Sequence, residues 1–503
     1  MAEAQTSTTP WSRLRAFDSN PVWVKDLRQA ARNPLVTGLL VLFLFGFLLA
    51  CIGVVMTREN SGGTSYAGQP VFGIIGGVTT GVCSLFIPIY FFVRTMMEKA
   101  TINSDLLYIT QMTPQQIIRG KFLSAAYLIL LFYSTAFPFL VFSYFLRGVD
   151  LKTILLSAAF SYTANLLVAL MAITWALLPW GTAAKIISAI LCGYFFPTFL
   201  PVFIGFGFFR GMSMGAPTFD GNLWLLATVY LFNFALLAGM LYQWTVALVT
   251  TPSANKALPV RRYFTVLSLL VLLQFFAFAW AGDREELALG GMWVVAGCII
   301  SGFFFCIGFR DLPITDRIRR EIPEGGIARA FSFLFYNGKY PGLLWLAGLW
   351  FLILLIFMVF TAAWKVAKAV DFLTWGAEMS MLYVGTSAQV LYGLGYAMLA
   401  NSIAKMITQD NHHRFAPLFF LLLVFVPPLL LALASIGHSF PEHVPFIVFT
   451  VFANDDFHVI HLIWSIILVA GCHAGNQRWV TWHVRRFHPL PPEEDTLANA
   501  EDE

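Results

Sequence analysis

Apolar runs at about 35–56, 71–93, 122–146, 153–179, 186–209, 222–249, 262–281, 288–309, 341–363, 379–404, 415–436 and 457–474 alternate with polar stretches along the whole chain. A helix rises about 1.5 Å per residue, so runs of this length match a hydrocarbon core about 30 Å thick. The pattern predicts an all-α protein, a polytopic transmembrane helical bundle of about twelve spans. The last run is the most diluted, because His458, His461 and His473 fall within it.

Composition supports that class. Hydrophobic residues make up 58% of the 503 and charged residues only 12%, a ratio that leaves a soluble fold too little polar surface. The placement of charge says more than its net value of +4. With a cytoplasmic N-terminus, twelve spans put 24 of the 31 Lys and Arg residues on the inside and 7 on the outside. This is the bias of the positive-inside rule, and it places both termini in the cytoplasm. A multi-pass protein of the bacterial cytoplasmic (inner) membrane is the expected setting. The basic residues form scattered juxtamembrane clusters, not one broad face, so no nucleic-acid partner is expected.

Residues 1–34 read as a cytoplasmic N-terminus ending in an interfacial elbow helix, and 35–250 as a six-span unit. Two further spans occupy 251–309, followed by a cytoplasmic linker at 310–340 and a four-span unit at 341–474. A cytoplasmic tail fills 475–503. The linker mixes signs and carries the break Pro323-Glu324-Gly325-Gly326, so it reads as a hinge. The acidic end, Pro491 to Glu503, has the composition of a disordered segment. The polar residues ahead of the first run lack the short apolar core and cleavage site of a signal peptide, so Leu35 to Met56 reads as a retained anchor. All six cysteines lie in apolar runs without metal-ligand spacing and read as buried small hydrophobes. No metal and no cofactor are expected.

The stretch from Glu98 to Lys121, EKATINSDLLYITQMTPQQIIRGK, interrupts this oily pattern. Thr113-Pro114-Gln115-Gln116 is a capping box: Thr113 accepts from the third amide, Pro114 needs no donor there, and Gln116 reaches back. A helix is therefore expected to start at Pro114 and run into the third span. Leu106, Leu107, Ile109 and Met112 give a second short helix one apolar face. Ahead of the first span, Asn20 can cap a helix opening with Pro21, with Trp23, Leu27 and Ala30 or Ala31 on one face. The Asn33-Pro34 step favours a bend after it.

Taken together, NPVWVKDLRQAARNP, DLLYITQMTPQQIIRGK and FLSAAYLILLFYSTAFPFLVFSYFL resemble the type-2 permeases of ABC transporters, over roughly residues 20 to 250. The resemblance implies a membrane-spanning permease-like unit in which the segment 98–121, between spans two and three, is the coupling segment. It would dock an ATP-binding cassette ATPase subunit, with Asp105, Leu106, Leu107, Thr113, Pro114 and Arg119 at or near the contact. The chain has no G-x-x-x-x-G-K-S/T phosphate-binding loop, so hydrolysis would belong to that partner and this chain would not be an enzyme. A second permease subunit is a further candidate partner beside the lipid bilayer, and export is the expected direction.

Two other functions compete. A polytopic membrane enzyme could use an outward-facing site at Asp455, Asp456, His458 and His461, with Glu442 and His443 nearby, since histidines three apart share a helical face. The same residues also suit a hydrated helix end, where Asp meets the positive end of the dipole. An ion-coupled secondary carrier needs ionisable groups near the midplane. The span cores instead hold Asn165, Asn233, Gln243, Gln274 and Gln389, which suit bonds between helices. Pro197 and Pro201 in the fifth run imply a bent, Phe-rich wall there.

Overall fold

The computed structural model describes residues 20–60, 68–100, 112–147, 149–182, 185–186, 188, 223–251, 254–282, 285–308, 314–368, 372–408, 412–434 and 458–489. The protein is all-helical, with no strand among the described residues. Among the described residues, eight helices are long and apolar enough to cross a membrane, or up to nine if one bent pair counts as a single span. Two of the expected runs, 288–309 and 415–436, fall on the helices Glu285–Ile307 and His412–Ala434, whose described apolar stretches are the shorter Val294–Ile307 and His413–Pro428. The run at 186–209, with Pro197 and Pro201, lies outside the described residues apart from 186 and 188.

The helices carry their apolar surface on the outside as well as the inside. In the helix Pro34–Asn60, Val36, Phe43, Phe47 and Cys51 are buried, while Leu35, Val41, Leu42, Leu44, Phe45, Leu48 and Leu49 are exposed. An apolar residue gains nothing by facing water, so such a helix needs hydrocarbon around it. These helices make the protein a multi-pass membrane-embedded chain.

Packing divides the chain into two units, Met1–Leu177 with Ala189–Val249, and Leu178–Ser188 with Thr250–Glu503. Residues 314–340 therefore lie inside the second unit, in the stretch where the sequence suggested a hinge.

In the first unit, α1 (Pro21–Ala31) precedes α2 (Pro34–Asn60), α3 (Gly68–Ala100), α4 (Pro114–Phe145), α5 (Leu151–Leu177) and α6 (Leu223–Val249). Helix α5 packs on α3, α4 and α6, and α1 lies against α4. Phe43, Phe47, Phe132 and Phe139 form an aromatic seam between α2 and α4. Asn165 of α5 donates to the Tyr133 hydroxyl of α4 at 2.9 Å, a bond between helices of the kind expected of it. Asn233 instead donates to the Val229 carbonyl of its own helix.

The second unit comprises α7 (Ala257–Gly282), α8 (Glu285–Ile307), α9 (Asp316–Arg320), α10 (Gly326–Phe333), α11 (Lys339–Lys368), α12 (Phe372–Ile407), α13 (His412–Ala434), α14 (His458–Gly475) and α15 (Gln477–Arg485). Helices α8 and α12 are its centre: α12 packs on α8, α11, α13 and α14, and α8 also meets α7 and α11. Trp180 meets Phe304 of α8 edge-on and stacks on Phe305. That close approach depends on Gly308, where a Cβ would fall 2.1 Å from the indole nitrogen. The chain bends by 66° between Val459–Gly475 and Gln477–Arg485. Asn476 braces the bend by donating to the Ser402 hydroxyl and the Cys472 carbonyl, each at 2.8 Å.

Candidate functional site: the junction at the base of the polar insert

Both helix starts expected from the sequence are present. Thr113 Oγ1 accepts from the Gln116 amide at 3.3 Å, and Gln116 Oε1 accepts from the Thr113 amide at 3.0 Å, completing the capping box ahead of Pro114. Asn20 Oδ1 accepts from the Val22 amide at 3.1 Å, with Pro21 in the first turn. Asn33 repeats the device by accepting from the Leu35 amide at 3.0 Å, which starts α2 just past the turn.

The two caps meet. Asn20 Nδ2 donates to the Gln116 carbonyl at 2.9 Å, so one side chain caps α1 and ties it to the first turn of α4. Gly120 permits the approach, since a Cβ there would lie 2.9 Å from the Asn20 side chain and 3.0 Å from Val22 Cβ. From the other side, Tyr242 of α6 donates to the Gln115 carbonyl at 3.4 Å.

Below the caps lies a cluster of five charged side chains. Glu98, near the end of α3, pairs with Lys121 of α4, with Lys25 of α1 at 3.1 Å and with Arg94 at 3.8 Å. Asp26, only 2% exposed, lies 3.7 Å from Arg94 and 3.9 Å from Lys121. Neither of its carboxylate oxygens has a hydrogen bond, because both ion pairs are too long for one. Burial holds the Asp26 carboxyl above its ordinary value; Lys121 pulls it back, Glu98 adds to the rise, and Arg94 and Lys25 oppose it. Three cations gathered on the Glu98 carboxylate thus fasten α1 to the last turns of α3 and the first turns of α4, with Asp26 enclosed beside them. The polar insert leaves and re-enters the helices at these points.

Of the residues assigned to the coupling segment, the structure describes three. Thr113 and Arg119 are exposed and Pro114 is half-buried. Asp105, Leu106 and Leu107 lie outside the described residues, as do Ile109 and the upstream short helix. The sequence reading of α1 needs one change: its buried face holds Asp26 and Ala30, with Trp23 and Leu27 half-buried and Ala31 exposed. The charged cluster was not anticipated. Its sequence signal is Arg94 and Glu98 four apart at the end of an apolar run, with Lys121 on the apolar side of α4. Such charges stay buried only when paired.

Of the residues of the competing metal site, only the His461 side chain is described. His461 is 1% exposed and faces the Tyr392 hydroxyl at 3.3 Å, so it packs toward α12. Asp455, Asp456, Glu442 and His443 lie outside the described residues, and no group of metal-ligating side chains is found within them. Of the five cysteines described, all are free thiols; Cys51 and Cys83 are buried and the others partly so. No family model, curated protein or solved structure matches the chain.

Proposed function

We propose that this chain is the membrane-spanning permease subunit of an ABC transporter of the exporting kind, driven by a separate ATP-binding subunit. The observation that carries the reading is the charged junction. A polar insert whose two ends are fastened to an elbow helix, with a capped and partly exposed helix start beside them, has the build of a surface that receives and transmits force. A simple connecting loop needs no such fastening. The absence of a phosphate-binding loop in the sequence supports a motor held on another chain. A second permease subunit belongs to the same proposal.

In this reading the chain crosses a bacterial cytoplasmic membrane twelve times, with both termini in the cytoplasm. The charge alternation supports that topology, as does a helix in every expected run that the structure describes. The force would enter at the segment around Asp105 to Lys121, pass through Glu98 and Lys121 into α3 and α4, and alter packing among the first six spans.

The test is co-purification of the chain with a candidate ATP-binding cassette ATPase co-expressed with it. Wild type is expected to retain the ATPase through affinity capture in detergent, and Arg119→Glu or Leu107→Asp to lose most of it. An ATPase held equally well by both variants overturns the docking surface.

A further inference from the structure

The second unit carries a polar platform of its own, built from three separate stretches of chain. Arg261, in the second turn of α7, is buried; it donates to the carbonyls of Leu334, Tyr336 at 2.8 Å and Gly338 at 3.0 Å. Asn337 accepts from the Ala257 amide and donates to the Ala254 carbonyl, each at 3.0 Å. Phe333 and Tyr336 pack edge-on against Phe487, with Ile318 and Ile322 in the same cluster. Arg319 Nε donates to the His488 carbonyl at 3.2 Å. The C-terminal end of α10 is thus bolted to the mouth of two span-length helices, α7 and α11.

One face of α10 has no protein against it among the described residues. Ile327 is 79% exposed and Phe331 67% exposed, and they lie four residues apart on one stripe. Phe333, about 200° further round the helix from Phe331, is the side chain docked into the platform. Across residues 314–337 and 476–488 arginines outnumber carboxylates seven to three. A short helix held at the mouths of two span-length helices, apolar on its free side and flanked by stretches with a surplus of arginine, matches an anionic leaflet. Its apolar side chains would enter the acyl boundary while the cations meet phosphate.

We infer that α10 is an interfacial helix, with Ile327 and Phe331 inserted in the leaflet on that side and the arginines of α9 and residues 485–486 contacting anionic headgroups. This fixes the second unit's depth in the bilayer and is independent of the ATPase reading. It is tested with Ile327→Cys, Phe331→Cys and the exposed control Glu324→Cys in the full chain. Each variant is labelled with an environment-sensitive fluorophore and reconstituted in phosphatidylcholine vesicles with or without phosphatidylglycerol. Wild type carried through the same labelling supplies the background. Labels at 327 and 331 are expected to be quenched several-fold more by shallow spin-labelled lipid than the label at 324, and more strongly when phosphatidylglycerol is present. Quenching by aqueous iodide as readily as at 324 overturns the insertion. Shielding from both quenchers overturns it in favour of a protein partner on that face. Equal behaviour in the two vesicle types overturns the role given to the arginines.

Discussion

In the first unit, α1 is held where α3 ends and α4 begins by opposite charges: Glu98 among Lys25, Arg94 and Lys121, and Asp26 behind them. In the second, the corresponding polar corner is held by the Arg261 guanidinium and the Asn337 side-chain amide, each bonded to backbone carbonyls, with no carboxylate paired to Arg261 among the described residues. The first arrangement depends on charges that solvent, pH and partner charges can all modulate. The second depends on short directional bonds that fix a backbone path, including Gly338 at φ +140°, where a side chain would be strained and would meet Pro341 and His483. A junction meant to pass on a push suits the first chemistry, and a junction meant to stay put suits the second.

Arg261→Ala should have the largest effect. It leaves three carbonyls short of a donor, one buried and two partly buried, at a cost of about 3–5 kcal/mol. Hydrogen exchange should rise in residues 314–340 with little change in 112–121, and an equal rise in both would break the contrast between the units. Glu98→Gln comes next, at about 1–3 kcal/mol, since it removes charge-assisted bonds from a partly exposed acid. Here exchange should rise around 21–31 and 112–121, and added salt should mimic part of the effect in wild type but not in the variant. If salt loosens 314–340 equally, the distinction between ionic and directional junctions fails.

Asp26→Asn is expected to differ in sign. Because the folded-state value of Asp26 is raised, its ionised form opposes folding near neutral pH. The associated stability is fully present below the ordinary carboxylate value of 3.8 and is lost as pH rises through the raised value. The asparagine variant should therefore melt at or above the wild-type temperature at pH 7, and that advantage should vanish as pH falls through the carboxylate range. A variant that melts well below wild type at pH 7 would show that the two long ion pairs outweigh burial. The smallest effect belongs to Lys25→Ala, an exposed partner, at below about 1 kcal/mol by thermal melting.

Local signals in the sequence carried as far as local physics reaches. The capping box at Thr113, the Asn20-Pro21 start and the Asn33-Pro34 turn were all legible, because each is settled within four residues of chain. The burial of Asp26 was not legible. Nothing near Lys25-Asp26 tells an exposed acid from one enclosed by groups about seventy and ninety-five residues further along. The pairing of His461 with Tyr392 was likewise hidden, and spacing alone had made that histidine a candidate ligand.

By itself the sequence determined that the chain is helical and membrane-embedded and where its capped helices begin, because apolar run length and capping are one-dimensional properties. Only the tertiary structure decided that two caps share one hydrogen bond through Asn20, that five distant charges form one junction, and that residues 314–340 are bolted to α7. Those outcomes depend on which helix faces meet. Close approaches at Gly120 and Gly308 and the desolvation of paired charges fix that choice, and neither is encoded in any single stretch of chain.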